Sequence, residues 1–204
     1  MDWKSVSDKI VQDDQNKWDQ ITLAEELEVA EVGEEVYPFS EHALSQFCGK
    51  LDIPIRYFRR LPDEMKIIVA NYDLRRLKGT SFLVRRKGDW IRAFLSAEYV
   101  VYNNCEIAQT VEGLLAKGNV SVKGFVLEET NMFLKIISEE IWDVESGLKA
   151  GIMIGNSEVG MGSVVNTTLV PAVAVQTKTV KYPITHLGDR GVLAAITKTN
   201  SSIC

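Results

Sequence analysis

The sequence predicts an α+β fold: N-terminal helices followed by a mostly antiparallel sheet of hairpins with one intervening helix. Three observations carry this. Apolar residues recur at helical spacing through Leu77, paired apolar runs then flank the turn signals Lys87-Gly88 and Glu129-Thr130-Asn131, and a helical stretch from Asn104 to Gly118 separates the two. A length of 204 residues suits one domain with an appendage. The expected division is an acidic N-terminal extension, residues 1–36, and a core domain, residues 37–204.

The elements follow in order. Trp3, Val6, Ile10 and Val11 predict an amphipathic helix that ends at the polar run 13–16. Residues 19–36 are Glu-rich and read as an irregular segment or an edge strand. Ser40 is a suitable N-cap for a helix burying Ala43, Leu44, Phe47, Cys48 and Leu51. Pro54 opens a short helix with Tyr57, Phe58 and Leu61, and Pro62 starts a longer one. That longer helix carries Asp63 and Glu64 at its positive end and Arg75, Arg76 and Lys78 at its negative end. Its apolar face is expected to be Met65, Ile68, Val69 and Tyr72. Strands 81–86 and 89–95 form the first hairpin, with the turn at Lys87-Gly88. Asn104 is expected to cap the next helix, with Ile107, Val111, Leu114 and Leu115 inward. Strands 120–127 and 132–138, then 148–154 and 163–175, complete the sheet, with a further short strand at 178–182.

The charge is unevenly placed. The formal net charge of −5 divides into −9 over residues 1–52, +7 over 53–92 and −3 over 93–204. The basic middle holds Arg56, Arg59 and Arg60, then Arg75, Arg76 and Lys78, then Arg85, Arg86, Lys87 and Arg92. Tyr57, Phe58, Phe82 and Trp90 lie among them. Guanidinium groups grip phosphate oxygens and aromatic faces stack bases, so this pattern points to single-stranded nucleic acid. The same cations at a helix end and a hairpin tip also serve ordinary dipole matching and solubility.

Other chemistries are poorly supplied. Residues Gly155 to Gly160 match the opening of a phosphate-binding loop, but Met161 and Gly162 stand where Lys and Ser/Thr are needed, so nucleoside triphosphate is not expected. The loop reads as a tight turn, with Asn156 and Ser157 bonding local backbone and Glu158 solvated. Ser96 has no base beside it in sequence, and Tyr99 follows as a packing residue. Cys48, Cys105 and Cys204 are odd in number and widely spaced, and His42 and His186 are the only histidines, so neither a metal site nor thiol catalysis is expected. No cofactor is implied. There is no apolar run long enough for a membrane span and no secretory signal at the N-terminus, so a reducing cytoplasm is expected.

Four segments in this order resemble a known family. Residues 40–54 (SEHALSQFCGKLDIP), 91–104 (IRAFLSAEYVVYNN, with Ser96 and Tyr99), 151–165 (with Asn156, Ser157, Glu158 and Gly160) and Thr185-His186-Leu187-Gly188 are similar to a phage- and plasmid-borne family carrying a domain-of-unknown-function label. The resemblance spans about residues 38–190. Family members usually carry a Cys and an Asn-Gly pair after the last long strand, and the stretch 170–178 here has neither. More remotely, the arrangement is similar to phage single-strand-annealing proteins and their eukaryotic recombination-mediator relatives.

That resemblance implies a bacterial-host setting, contact with single-stranded DNA and a homo-oligomeric ring or filament. The leading expectation is therefore a non-enzymatic single-stranded nucleic-acid-binding protein. Arg75, Arg76, Lys78, Arg85, Arg86, Lys87 and Arg92 would hold phosphates, and Trp90 or Tyr57 would stack bases. The competing expectations are a protein-interaction or assembly module that binds a host protein through its acidic head, a metal-dependent hydrolase using Glu158, and an oligomeric structural protein.

Overall fold

A computed structural model of the chain describes residues 1–31, 36–143, 148–162, 165–169 and 195–197. The fold is α+β, with helices and antiparallel sheets. The chain forms two compact units, one from Met1–Gln15 with Val101–Thr185 and the other from Asn16–Val100 with His186–Cys204. The acidic head is not an appendage but is divided between the units, its helix going to one and its strands to the other.

In the first unit, α1 (Trp3–Asp14) is capped by Asp2, whose carboxylate accepts from the Lys4 and Ser5 amides. It buries Val6 and Ile10. Helix α5 (Asn104–Leu115) buries Ile107, Ala108 and Val111 and leaves Leu114 exposed, so the inward face is turned slightly from the expected one. Both helices pack on a four-stranded antiparallel sheet, β6 (Val120–Leu127), β7 (Met132–Asp143), β8 (Leu148–Asn156) and β9 (Val165–Leu169), in that order. Met132, Leu134 and Ile136 alternate along β7 toward the helices, and Val122 and Ile154 complete the core. Across the sheet, Ser121 beside it, with Lys149 at 3.2 Å and Lys123 at 3.3 Å, holds the Glu139 carboxyl down at about 2.

The second unit contains a three-stranded sheet in the order β1 (Lys17–Leu23), β4 (Ser81–Lys87), β5 (Trp90–Ser96). The Glu-rich stretch thus contributes an edge strand. Short strands β2 (Val29–Ala30) and β3 (Val36–Pro38) flank β10 (Ala195–Thr197). The β4–β5 turn is two residues, Gly88-Asp89, and Gly88 has the positive φ (56°) that the first position of a type II′ turn requires.

Helix α2 (Glu41–Lys50) begins at Ser40, whose Oγ accepts from the Ala43 amide at 3.2 Å. All five residues of its expected stripe are buried. Phe39, Phe47, Phe94 and Phe82 form a run of ring contacts, with centroids 4.7–5.2 Å apart, that binds α2 to the β4–β5 hairpin. The backbone follows the same join: the Ser40 amide donates to the Ile91 carbonyl at 2.8 Å.

After the short α3 (Ile55–Phe58), helix α4 (Asp63–Arg76) departs from expectation. Met65, Ile68 and Tyr72 face solvent, whereas Lys66, Ala70 and Leu74 are buried. Asn71 explains the rotation. Its side-chain carbonyl accepts from the Val29 amide and its Nδ2 donates to the Val29 carbonyl, both at 2.8 Å, in the manner of a neighbouring strand. Lys66 tolerates its position because its ammonium reaches Asp63 at 2.7 Å. Pro62 stands at the N-cap rather than inside the first turn.

The charged interior of the β1–β4 pair is the second departure. Arg85 is 1% exposed, and its Nε and Nη2 donate to the two carboxylate oxygens of Asp19 at 2.7 and 2.8 Å. The two residues sit directly opposite each other in the strand register. Asp19→Asn, which removes the carboxylate charge opposite a buried guanidinium, is expected to cost about 3 kcal/mol, the low end for a broken buried pair because Asp19 is partly exposed. Urea denaturation reads this directly. Asp19→Leu combined with Arg85→Met is expected to recover most of the loss, and an unaltered midpoint in Asp19→Asn would refute a structural pair.

Candidate nucleic-acid interface

The strand register decides where the basic residues can act together. Helix α4 ends beside the start of β4, and the Thr80 carbonyl accepts from the Ala24 amide there. Lys87 closes the other end of the same strand. The Arg75-Arg76-Lys78 cluster and the hairpin tip are therefore separated by the length of β4, about 20 Å at the usual strand rise. They do not form one groove.

The α4 cluster is largely matched by local acids. Arg76 pairs with Asp73 at 2.9 Å. Glu25 accepts from the Gly79 amide at 2.9 Å, and that bond, with a smaller contribution from Lys78, holds its carboxyl below the usual range.

Two of the predicted phosphate ligands are interior residues. Arg85 is engaged with Asp19, and Arg92 is buried at the β-bulge between Arg85 and Arg86, its backbone carbonyl accepting from Ser40 Oγ at 3.4 Å. Neither side chain presents to solvent, which corrects their expected role. Among the aromatics, Phe58 and Phe82 belong to the core, while Tyr57 and Trp90 are exposed.

Arg56, Tyr57, Arg59 and Arg60 are exposed around α3, where Arg59 pairs with Glu41, and a second group, with Lys87 and Trp90 exposed and Lys17 and Arg86 half-buried, stands at the hairpin end of the three-stranded sheet. Lys17, Lys87 and Trp90 are register partners and share one face. Trp18, Arg86 and Ile91 form the adjacent row and share the other. Trp18 is 61% exposed and Trp90 48%. The Arg86 guanidinium carbon lies 4.2 Å from the Tyr37 ring centroid, over its face. The sheet end thus offers an aromatic surface on each face with cations beside each. Trp18 was not among the expected residues. The signal was present: Lys17-Trp18 contains the only cation between Lys9 and Lys50.

Parts of two of the motif segments, 101–104 and 156–161, meet in the first unit. Asn156 Nδ2 donates to the Tyr102 carbonyl at 3.0 Å and to Asn104 Oδ1 at 2.8 Å. A Glu158 carboxylate oxygen accepts from the Asn104 amide at 2.6 Å. Ser157 Oγ donates to the Thr130 carbonyl and accepts from the Met161 amide. Asn156, Ser157 and Glu158 are all at most 5% exposed. Glu158 is therefore not the solvated loop carboxylate expected, but a buried acceptor at the positive end of α5.

The cap of α5 is Asn103, one residue earlier than expected, and its amide donates to Glu106 at 2.6 Å. Gly160 supplies a positive φ (76°) within the loop, and β9 follows it rather than the helix of a phosphate-binding loop. Ser96 and Tyr99 lie in the second unit, where the Tyr99 amide closes a turn onto the Ser96 carbonyl at 3.0 Å.

No group of three or more His, Cys, Asp or Glu side chains is gathered among the described residues. Burial pushes the Cys48 thiol up to about 11, so it is a core group rather than a nucleophile. His186, Cys204, the 185–188 motif, the 170–178 stretch and the expected strand 178–182 lie outside the described residues. Within the described residues no helix is long and apolar enough to cross a membrane.

A scan against family models, a search of curated proteins and a search of solved structures each found no match.

The buried network makes a prediction of its own. Glu158→Ala leaves the Asn104 amide without its acceptor and is expected to cost about 1–3 kcal/mol. Glu158→Gln keeps an oxygen in place and should lose less. Urea denaturation and amide exchange at Asn104 measure both, and equal losses in the two variants would refute the carboxylate's capping role.

Proposed function

We propose that the hairpin end of the β1–β4–β5 sheet binds single-stranded nucleic acid, with no catalytic step. The observation that carries this reading is the pair of exposed tryptophans, Trp18 and Trp90, one on each face of the sheet end and each in a row with a cation. A strand crossing the end of the sheet meets a stacking surface on each side, and Arg86 and Lys87 lie where its phosphates pass. Stacking accepts every base, so the binding is expected to be sequence-tolerant. Arg75, Arg76 and Lys78, a strand length away, contribute long-range attraction rather than contacts at this site.

Base pairing withdraws the π faces that Trp18 and Trp90 would meet, so single strands should be preferred over duplex. The tryptophans also provide the readout, because a stacked base quenches indole emission. Titration with a labelled oligonucleotide across a salt series should show affinity falling with salt at about 0.7 logarithmic units per phosphate contact. Trp90→Ala is expected to lose about 1–3 kcal/mol of binding, and Lys87→Ala to flatten the salt slope. Arg85→Ala is unsuitable because it breaks the buried pair. Absence of binding at low salt, or unchanged affinity in the Trp18→Ala/Trp90→Ala variant, would overturn the reading.

A further inference from the structure

We infer that the outer face of α4 is a self-docking surface, on which two copies of the chain pair their α4 helices antiparallel about a twofold axis. The face is apolar where solvent would ordinarily select polar residues. Met65, Ile68 and Tyr72 are 43, 59 and 64% exposed, and their spacing places them in one stripe. The stripe lies opposite Lys66, Ala70 and Leu74, which face the core, and the Asn71 bonds to Val29 hold the helix in that rotation. Nothing in the packing of α4 against its own unit requires the stripe to be apolar.

Charge selects the occupant. Glu64 sits at the start of α4 and Arg75 near its end, eleven residues later, so they lie within about 20° of the same flank of the stripe, about 16 Å apart. Neither has an ion-pair partner among the described residues, whereas Asp63 is held by Lys66 and Arg76 by Asp73. A twofold axis through the helix midpoint, between Val69 and Ala70, places Glu64 of each copy beside Arg75 of the other. The same operation leaves Met65 about 3 Å along the axis from the level of Tyr72 of the other copy, and the two Ile68 residues about 4.5 Å apart, astride the centre. A parallel arrangement would instead put the charged flanks of the two copies on opposite edges of the contact, with no pairing of Glu64 and Arg75 across it. The antiparallel pairing is also the one that aligns the helix dipoles favourably. The contact is isologous, so it closes at two copies.

Sedimentation velocity of the full chain without nucleic acid, over a wide concentration range, tests the pairing independently of the proposed function. A monomer–dimer equilibrium is expected, abolished by Ile68→Asp. Glu64→Arg and Arg75→Glu, each at an exposed position, should each be monomeric at concentrations where the parent chain is dimeric. An equimolar mixture of these two variants should form a heterodimer, because one then carries two cations and the other two anions on the docking flank. Circular dichroism of each variant confirms that the fold is retained. A chain that remains monomeric throughout, or a dimer indifferent to both charge reversals, overturns the inference and assigns the stripe to a partner of different sequence.

Discussion

The bidentate bond between Asp19 and Arg85 is the constraint on which the second unit turns. A guanidinium in the interior of a sheet is tolerable only with its counter-charge directly opposite, and Asp19 supplies that from 66 residues away. The pair therefore specifies more than an attraction. A slip of β1 by one residue would turn Asp19 to the other face and take its carboxylate away from the buried Arg85. The register that satisfies the pair is also the one that sets Lys17 beside Lys87 and Trp18 beside Arg86. The exposed chemistry at the sheet end is thus positioned by an interior charge that never reaches solvent.

A polar residue inside each unit plays a comparable part. In the first, Asn156 and Glu158 reach from the end of β8 to the backbone of Tyr102 and Asn104 and hold the start of α5. In the second, Asn71 joins α4 to β2 through both of its amide groups. These bonds join segments distant in sequence, and in each case the side chain takes the place of a backbone partner. The short motif 156–158, which on sequence grounds invited comparison with catalytic and phosphate-binding loops, is a clamp between a strand end and a helix start.

This pattern explains what was legible beforehand. Ser40 as a cap, the α2 stripe from Ala43 to Leu51, Gly88 in the hairpin turn and the alternation along β7 all depend on neighbours a few residues away, and each is readable from spacing and residue type. The rotation of α4 depends on Val29, the burial of Arg85 on Asp19 and the burial of Glu158 on Asn104. None of these has a local signature. For α4 the local signal misled: Met65, Ile68 and Tyr72 have the spacing of a core face, and Lys66 and Asn71 look like surface residues. Of the expected interface, Arg86, Lys87 and Trp90 stand at the sheet end, Arg85 and Arg92 are interior, and Trp18 joins from a strand that composition alone had placed in the acidic N-terminal extension.

The first unit is assembled from two stretches of chain that the second separates. Helix α1 packs its Val6 and Ile10 in the same core as Ile107, Met132 and Ile154. During synthesis the helix leaves the ribosome ahead of its partners, and about a hundred residues must follow before the nearest of them exist. At about 5–20 residues per second that interval lasts on the order of 5–20 s. Throughout it an amphipathic segment is exposed while the intervening strands and helices are already able to condense. The order of assembly is thereby imposed by chain connectivity: the later segment completes a core that the earliest one began.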